Sequence, residues 1–143
     1  MDVLTSRTII HPTDIDRSLA FYGSSGLDLP VAREFGSGAG RGVVFFAGGG
    51  LIEVVAGHSG AVAGRSDPAG LALWLQVRDV EATVAELSAR GIRPVRPPVL
   101  EPWGLIEAWI DDPDGLRIHL VEVPGDHPLR RDVRPEPLVA GPS

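Results

Sequence analysis

One segment of the chain occurs twice, and this repeat constrains the fold more than any other feature. Residues 14–30 (DIDRSLAFYGSSGLDLP) align without a gap with residues 79–95 (DVEATVAELSARGIRPV), at a constant offset of 65 positions. Each copy begins with an aspartate, Asp14 or Asp79, which is suited to cap a helix N-terminus. Apolar residues then follow at helical spacing, up to a glycine, Gly26 or Gly91, suited to the position after a helix C-terminus. Each copy therefore predicts a helix.

The segments around each predicted helix indicate strands, one before it and three after it. The pattern βαβββ thus occurs twice, which predicts an α+β fold of two similar modules in one domain. Gly48-Gly49-Gly50 lies between two short strands and no helix follows it, so it predicts a hairpin turn rather than a phosphate-binding loop. The predicted strands are 7–11, 30–35, 43–47, 51–56, 70–77, 95–100, 105–111 and 116–123.

Composition excludes several classes of function. The chain has 143 residues and a formal net charge of −6, which argues against a nucleic-acid surface because such surfaces carry clustered positive charge. It has no cysteine, hence no disulfide and no thiolate metal site, and no lysine for Schiff-base chemistry. No apolar run reaches the roughly 20 residues needed to cross a bilayer. We expect a cytoplasmic protein with neither a membrane nor a nucleic-acid partner.

The segment DDPDGLRIHLVEV at 111–123 predicts a turn followed by a strand with two chemically different faces. Leu116, Ile118 and Leu120 point one way, and Arg117 and His119 the other. Extending this alternation to the other strands gives one apolar face, suited to pack against helices, and a second face that mixes charges with large aromatic rings. Such a mixture predicts a partly wet, curved pocket. The predicted pocket face carries Arg7, Ile9, His11, Val43 or Phe45, Leu51, Glu53, Val55, Ala72, Trp74, Gln76, Glu107, Trp109, Arg117, His119 and Val121.

Three motifs, together with the duplication, resemble the vicinal oxygen chelate superfamily. They are the DxDxSxxFY opening at 14–22, the IEVV strand at 52–55 and the DPDGxxIxL turn and strand at 112–120. The superfamily includes glyoxalase I, extradiol dioxygenases, methylmalonyl-CoA epimerase, and the bleomycin and fosfomycin resistance proteins. The resemblance covers residues 5–123 and implies two βαβββ modules that curl into an incomplete barrel, usually in a homodimer. Module one would span 5–57 and module two 70–123, with a linker at 57–70 and a proline-rich tail at 124–143.

In the metal-dependent members of this superfamily, four positions in the first and last strand of each half hold a divalent ion. Here these positions are Arg7, Glu53, Ala72 and His119. Arginine does not ligate metals and alanine has no donor atom, so we expect no metal or other cofactor. If a metal binds, Glu53 and His119 would be its ligands.

Two classes of function remain open. In the first, a metal-independent lyase or isomerase uses Glu53 and His119 to exchange protons while Arg7 stabilises negative charge, with all three in one sheltered hollow. In the second, a binding protein of the bleomycin-resistance type holds an aromatic or oxygenated small molecule, and Arg7 and Glu53 are only an ion pair left from a lost metal site. A metal-dependent glyoxalase or dioxygenase is a further alternative. The predicted ligand-binding residues are His11, Phe45, Trp74, Gln76, Trp103, Trp109 and Arg117.

Overall fold

A computed structural model describes residues 1–56 and 70–128, so the expected linker and the expected tail beyond Pro128 lie outside the described residues. The predicted order of elements is confirmed. The first module contains β1 (Arg7–Ile10), α1 (Ile15–Tyr22), β2 (Val31–Phe35), β3 (Gly42–Ala47) and β4 (Gly50–Val55). The second module contains β5 (Ala72–Val77), α2 (Val80–Ala89), β6 (Arg96–Leu100), β7 (Ile106–Asp111) and β8 (Arg117–Glu122).

Each module forms its own four-stranded mixed sheet. The strand orders are β1-β4-β3-β2 and β5-β8-β7-β6, so β1 and β5 occupy corresponding edges. In each sheet the first strand runs parallel to the last, and the remaining pairs are antiparallel. The two-module α+β fold that the duplication predicts is therefore confirmed. No helix in the described part of the chain is long and apolar enough to cross a membrane.

The helix starts follow the repeat, but one helix end does not. The Asp14 carboxylate accepts a hydrogen bond from Arg17 N at 3.1 Å, and the Asp79 carboxylate accepts one from Ala82 N at 2.9 Å, so both N-caps are confirmed. Helix α2 is followed by Arg90 and then by Gly91 in the left-handed region, with φ 85°, as predicted.

The corresponding prediction for Gly26 is wrong, because α1 ends earlier, at Tyr22, and Gly23 caps it. Glycine is required at position 26 for a steric reason, because a Cβ there would lie 2.0 Å from the carbonyl oxygen of Phe21. The alignment thus pairs two glycines that are needed for different reasons.

One apolar cluster spans the helix-facing sides of both sheets. Its members from the first module include Ile10, Tyr22, Phe45, Ile52 and Val54, and those from the second include Val80, Leu87, Ala108, Ile110, Ile118 and Leu120. The placement of Phe45 on the pocket face was therefore wrong, as was that of Val43, which also belongs to the cluster. In the register of β3 with β4, Phe45 lies opposite Ile52, whereas Val44 lies opposite Glu53.

A buried hydrogen bond links the two modules. Tyr22 Oη donates to Asp112 Oδ2 at 2.8 Å, and both residues are buried. The second carboxylate oxygen of Asp112 accepts from the backbone nitrogens of Asp114 and Leu116 at 2.9 and 2.8 Å. These bonds order the turn that precedes β8, in which Gly115 has φ 86°. The predicted turn is confirmed, and its first carboxylate also anchors α1 to the second module.

Candidate functional site

A row of four side chains crosses all four strands of the second sheet on the face opposite the core. Trp74 on β5 lies opposite His119 on β8, His119 lies opposite Trp109 on β7, and Trp109 lies opposite Arg96 on β6. Residues paired across neighbouring strands share a face of the sheet. The aromatic row therefore consists of Trp74, His119, Trp109 and Arg96.

Close contacts hold the inner part of this row. The Trp109 and His119 ring centroids are 5.1 Å apart, and the Arg96 guanidinium carbon lies 3.9 Å from the Trp109 ring centroid. Arg117 lies two residues before His119 on β8, and its guanidinium carbon is 5.2 Å from the centroid of the same ring. A guanidinium over an indole is an attractive arrangement, so Trp109 is fixed between two cations.

Both guanidiniums are already paired with carboxylates. Arg96 forms an ion pair with Glu101, and Arg117 Nε donates to Asp111 Oδ1 at 2.5 Å. Trp109 Nε1 is buried, and no residue in 1–56 or 70–128 accepts a hydrogen bond from it. Both guanidiniums of the inner row are thus held in ion pairs, whereas Trp74 at the outer end is 51% exposed.

Sequence reasoning assigned no role to two residues of this face. Strand alternation placed Glu107 on it, because Glu107, Trp109 and Asp111 alternate along β7, but nothing marked it as functional. In the structure Glu107 is buried, and its Oε1 lies 3.8 Å from His119 Nδ1. Arg96 was missed altogether, because the pairing of β6 with β7 shifts register between Arg96 and Val99 and two prolines interrupt the alternation.

The structure does not bring Arg7, Glu53 and His119 into contact. Arg7 Nη1 lies 3.4 Å from Glu53 Oε2 on the first sheet, whereas His119 lies on the second. Across the described ranges, no hydrogen bond or ion pair joins either residue of the Arg7–Glu53 pair to His119.

The remaining predicted ligand-binding residues are dispersed. His11 Nδ1 lies 3.3 Å from the carbonyl oxygen of Val55, at the end of β4. Gln76 is exposed on β5, two residues from Trp74 and on the same face. Trp103 is exposed in the turn after β6, where its carbonyl oxygen lies 3.0 Å from His127 Nε2.

The four family metal positions do not fit a divalent ion. Arg7 directs its cation at Glu53, one of the two residues able to ligate, and Ala72 lies opposite Arg117 in the register of β5 with β8. The described part of the chain also holds no group of three or more His, Asp or Glu side chains placed to share a metal.

Two hollows lie along the free edge of β5, and Trp74 lines both. A cavity of about 190 Å³ lies between β5 and the β1–β4 edge of the first sheet, where Arg7 and Leu51 face Leu73 and Trp74. A groove of about 550 Å³ runs past Trp74 and Gln76 to α2 and the Gly48–Gly49 turn. Neither is lined by Glu53 or His119. We place the candidate site at the aromatic row because Trp74, which lines both hollows, belongs to it.

Comparison with known proteins identifies the family. The family model of the Glyoxalase/Bleomycin resistance protein/Dioxygenase superfamily matches residues 6–120. No curated protein matches the chain.

Among solved structures, a member of this superfamily from Sphaerobacter thermophilus is 27% identical, with a TM-score of 0.63; the match covers 85% of this chain and 97% of that one. TnmS3, an antibiotic binding protein from a Streptomyces species, is 22% identical, with a TM-score of 0.68 and coverage of 86% and 98%. A glyoxalase-related enzyme from Fulvimarina pelagi is also 22% identical, with a TM-score of 0.65 and coverage of 82% and 86%. Because the family model spans most of this chain and the observed fold agrees with it, the chain belongs to the Glyoxalase/Bleomycin resistance protein/Dioxygenase superfamily.

Proposed function

We propose that this protein binds a planar small molecule, without a metal, on the open face of the second sheet. The observation that carries the proposal is the register Trp74–His119–Trp109, which aligns two indoles and an imidazole across three adjacent strands. Flat rings bind through offset or edge-to-face contact with such side chains. Trp74 supplies the exposed stacking surface, and the inner row supplies a rigid wall beside it.

Binding accounts for the geometry better than proton transfer between Glu53 and His119. Glu53 faces the Arg7 guanidinium and His119 faces Glu107, so each candidate acid or base has its own partner on its own sheet. General acid–base catalysis requires both groups to reach one substrate within hydrogen-bond distance. TnmS3, an antibiotic binding protein, has the same fold. This similarity supports the proposal that the present protein also binds a small molecule.

The proposal is tested by removing the exposed indole. Isothermal titration calorimetry would follow a panel of planar aromatic compounds, with naphthalene-2-carboxamide as the smallest probe, in buffer that contains a chelator. We expect Trp74→Ala to weaken binding about tenfold, since aromatic pairing contributes ~0.5–1.5 kcal/mol beyond the area that it buries.

Phe46→Ala is the matched control. Phe46 is also 51% exposed, but it lies on β3 in the first sheet. This variant should bind the probes as the unchanged protein does. An equal loss of affinity in both variants, or a panel in which no compound binds, would contradict the proposal.

A further inference from the structure

Glu107 is a buried carboxylate in the middle of the proposed binding face. It is 5% exposed, and its neighbours across the sheet are Val121 on β8 and Val99 on β6, whose side chains offer no hydrogen-bond donor. Along β7 the next side chain on the same face is Trp109. Glu107 therefore lies on the same face as the aromatic row, next to Trp109, but it is not a member of the row.

No described residue donates a hydrogen bond to the Glu107 side chain. Among residues 1–56 and 70–128, the one basic group within ion-pair distance is His119, whose Nδ1 lies 3.8 Å from Glu107 Oε1. This separation exceeds the length of an N–H···O hydrogen bond in either protonation state of the imidazole. The Glu107 oxygens retain some contact with solvent and accept no hydrogen bond from the described residues, so they are available to a ligand that brings a donor.

The other carboxylates of this face differ from Glu107 in this respect. Glu101 pairs with Arg96 and Asp111 pairs with Arg117, so both guanidiniums are engaged. Glu107 has no guanidinium partner, and the basic group nearest to its carboxylate is the His119 imidazole. An anionic ligand would therefore meet two guanidiniums that are already paired, and a carboxylate that lies 3.8 Å from its nearest basic group.

We infer that Glu107 is a specificity-determining acceptor, and that the ligand is a planar aromatic compound carrying a cationic nitrogen with N–H groups, such as an amidine. The inference rests on the proposed function and adds the chemical class of the ligand to it. The ring stacks beside Trp74 and the row, and its N–H groups donate to the Glu107 carboxylate. Charge-assisted hydrogen bonds of this type are the stronger class in proteins.

Three probes with one ring system test the inference. Naphthalene-2-carboxamidine, naphthalene-2-carboxamide and naphthalene-2-carboxylate are cationic, neutral and anionic near pH 7, and each is titrated calorimetrically. We expect the amidine to bind at least about tenfold more tightly than the carboxylate. Glu107→Gln should remove most of this preference, whereas Glu34→Gln, the same change at an exposed residue of β2, should retain it.

The outcomes separate the two proposals. Equal affinities for the three probes, tighter binding of the carboxylate, or a preference unchanged in Glu107→Gln would overturn the inference while leaving a Trp74-dependent site intact. Absence of binding for all three would refute the proposed function as well. The comparison of amidine with carboxylate on the unchanged protein stands even if Glu107→Gln fails to fold.

Discussion

Removal of the Tyr22 hydroxyl should weaken the attachment of α1 to the second module. In Tyr22→Phe the ring remains in the core, so no cavity forms, but Asp112 Oδ2 loses the hydrogen bond that it accepts at 2.8 Å. Both residues are buried, and the acceptor is a carboxylate. Hydrogen bonds to charged groups contribute ~1.5–3 kcal/mol, so we expect the free energy of unfolding to fall by about 2 kcal/mol. For a domain of this size, that loss corresponds to a melting temperature lower by roughly 5–10 °C.

Urea unfolding followed by tryptophan fluorescence measures this change. Thr13→Val is the control, because it removes a second hydroxyl that bridges the modules: Thr13 Oγ1 donates to Asp114 at an exposed site. Thr13 is exposed and Asp114 is only half-buried, so water can replace the lost partner, and this loss should stay below about 1 kcal/mol. A loss below about 0.5 kcal/mol in Tyr22→Phe, or equal losses in the two variants, would refute the reasoning that burial makes the Tyr22–Asp112 bond the principal polar link.

Further predictions concern the helix caps, the metal and the oligomeric state. Asp14→Ala and Asp79→Ala should each lower the free energy of unfolding by ~1 kcal/mol in urea titrations, because each removes one N-cap acceptor, and an effect in only one of them would contradict their equivalence. Dialysis against EDTA should leave probe affinity and melting temperature unchanged, whereas a fall in either, restored by a divalent ion, would show that a metal contributes. We further propose that the protein is a homodimer in which the free edges of β1 and β5 are covered: light scattering should give twice the chain mass, and Ile9→Arg, at an exposed position of β1, should give the monomer. A monomeric unchanged protein would contradict this.

Strand faces were predictable where charged and apolar residues alternate. In β8 and β4 the alternation of Arg117, His119 and Glu53 with buried aliphatic residues determines both faces, and the observed registers agree. In β3, by contrast, the run GVVFFA is apolar at successive positions, so period two carries no signal and Phe45 was placed on the wrong side. Its true face follows only from the pairing of Val44 with Glu53, which is a tertiary feature.

The candidate site was predictable in composition but not in its contacts. Alternation along β5, β7 and β8 brought Trp74, Trp109 and His119 to one face, and the structure places them there in one row. It anticipated an ion pair between Arg7 and Glu53, but it did not indicate that this pair would lie on a different sheet from His119, because the arrangement of the two modules is set by contacts distant in sequence. That no described residue donates to Glu107 could not be predicted either, since it depends on the pairing of Arg96 with Glu101 and of Arg117 with Asp111.

The most direct test of the binding site uses the indole N–H signals of the chain's three tryptophans in a two-dimensional ¹H–¹⁵N spectrum, assigned by Trp→Phe variants and titrated with naphthalene-2-carboxamidine. A ligand on the open face of the second sheet should shift the Trp74 signal most and the Trp109 signal less. The Trp103 signal, from the turn after β6, should stay within the range of a buffer control. Binding that shifts Trp103 alone, or leaves Trp74 unmoved, would contradict a site at the aromatic row.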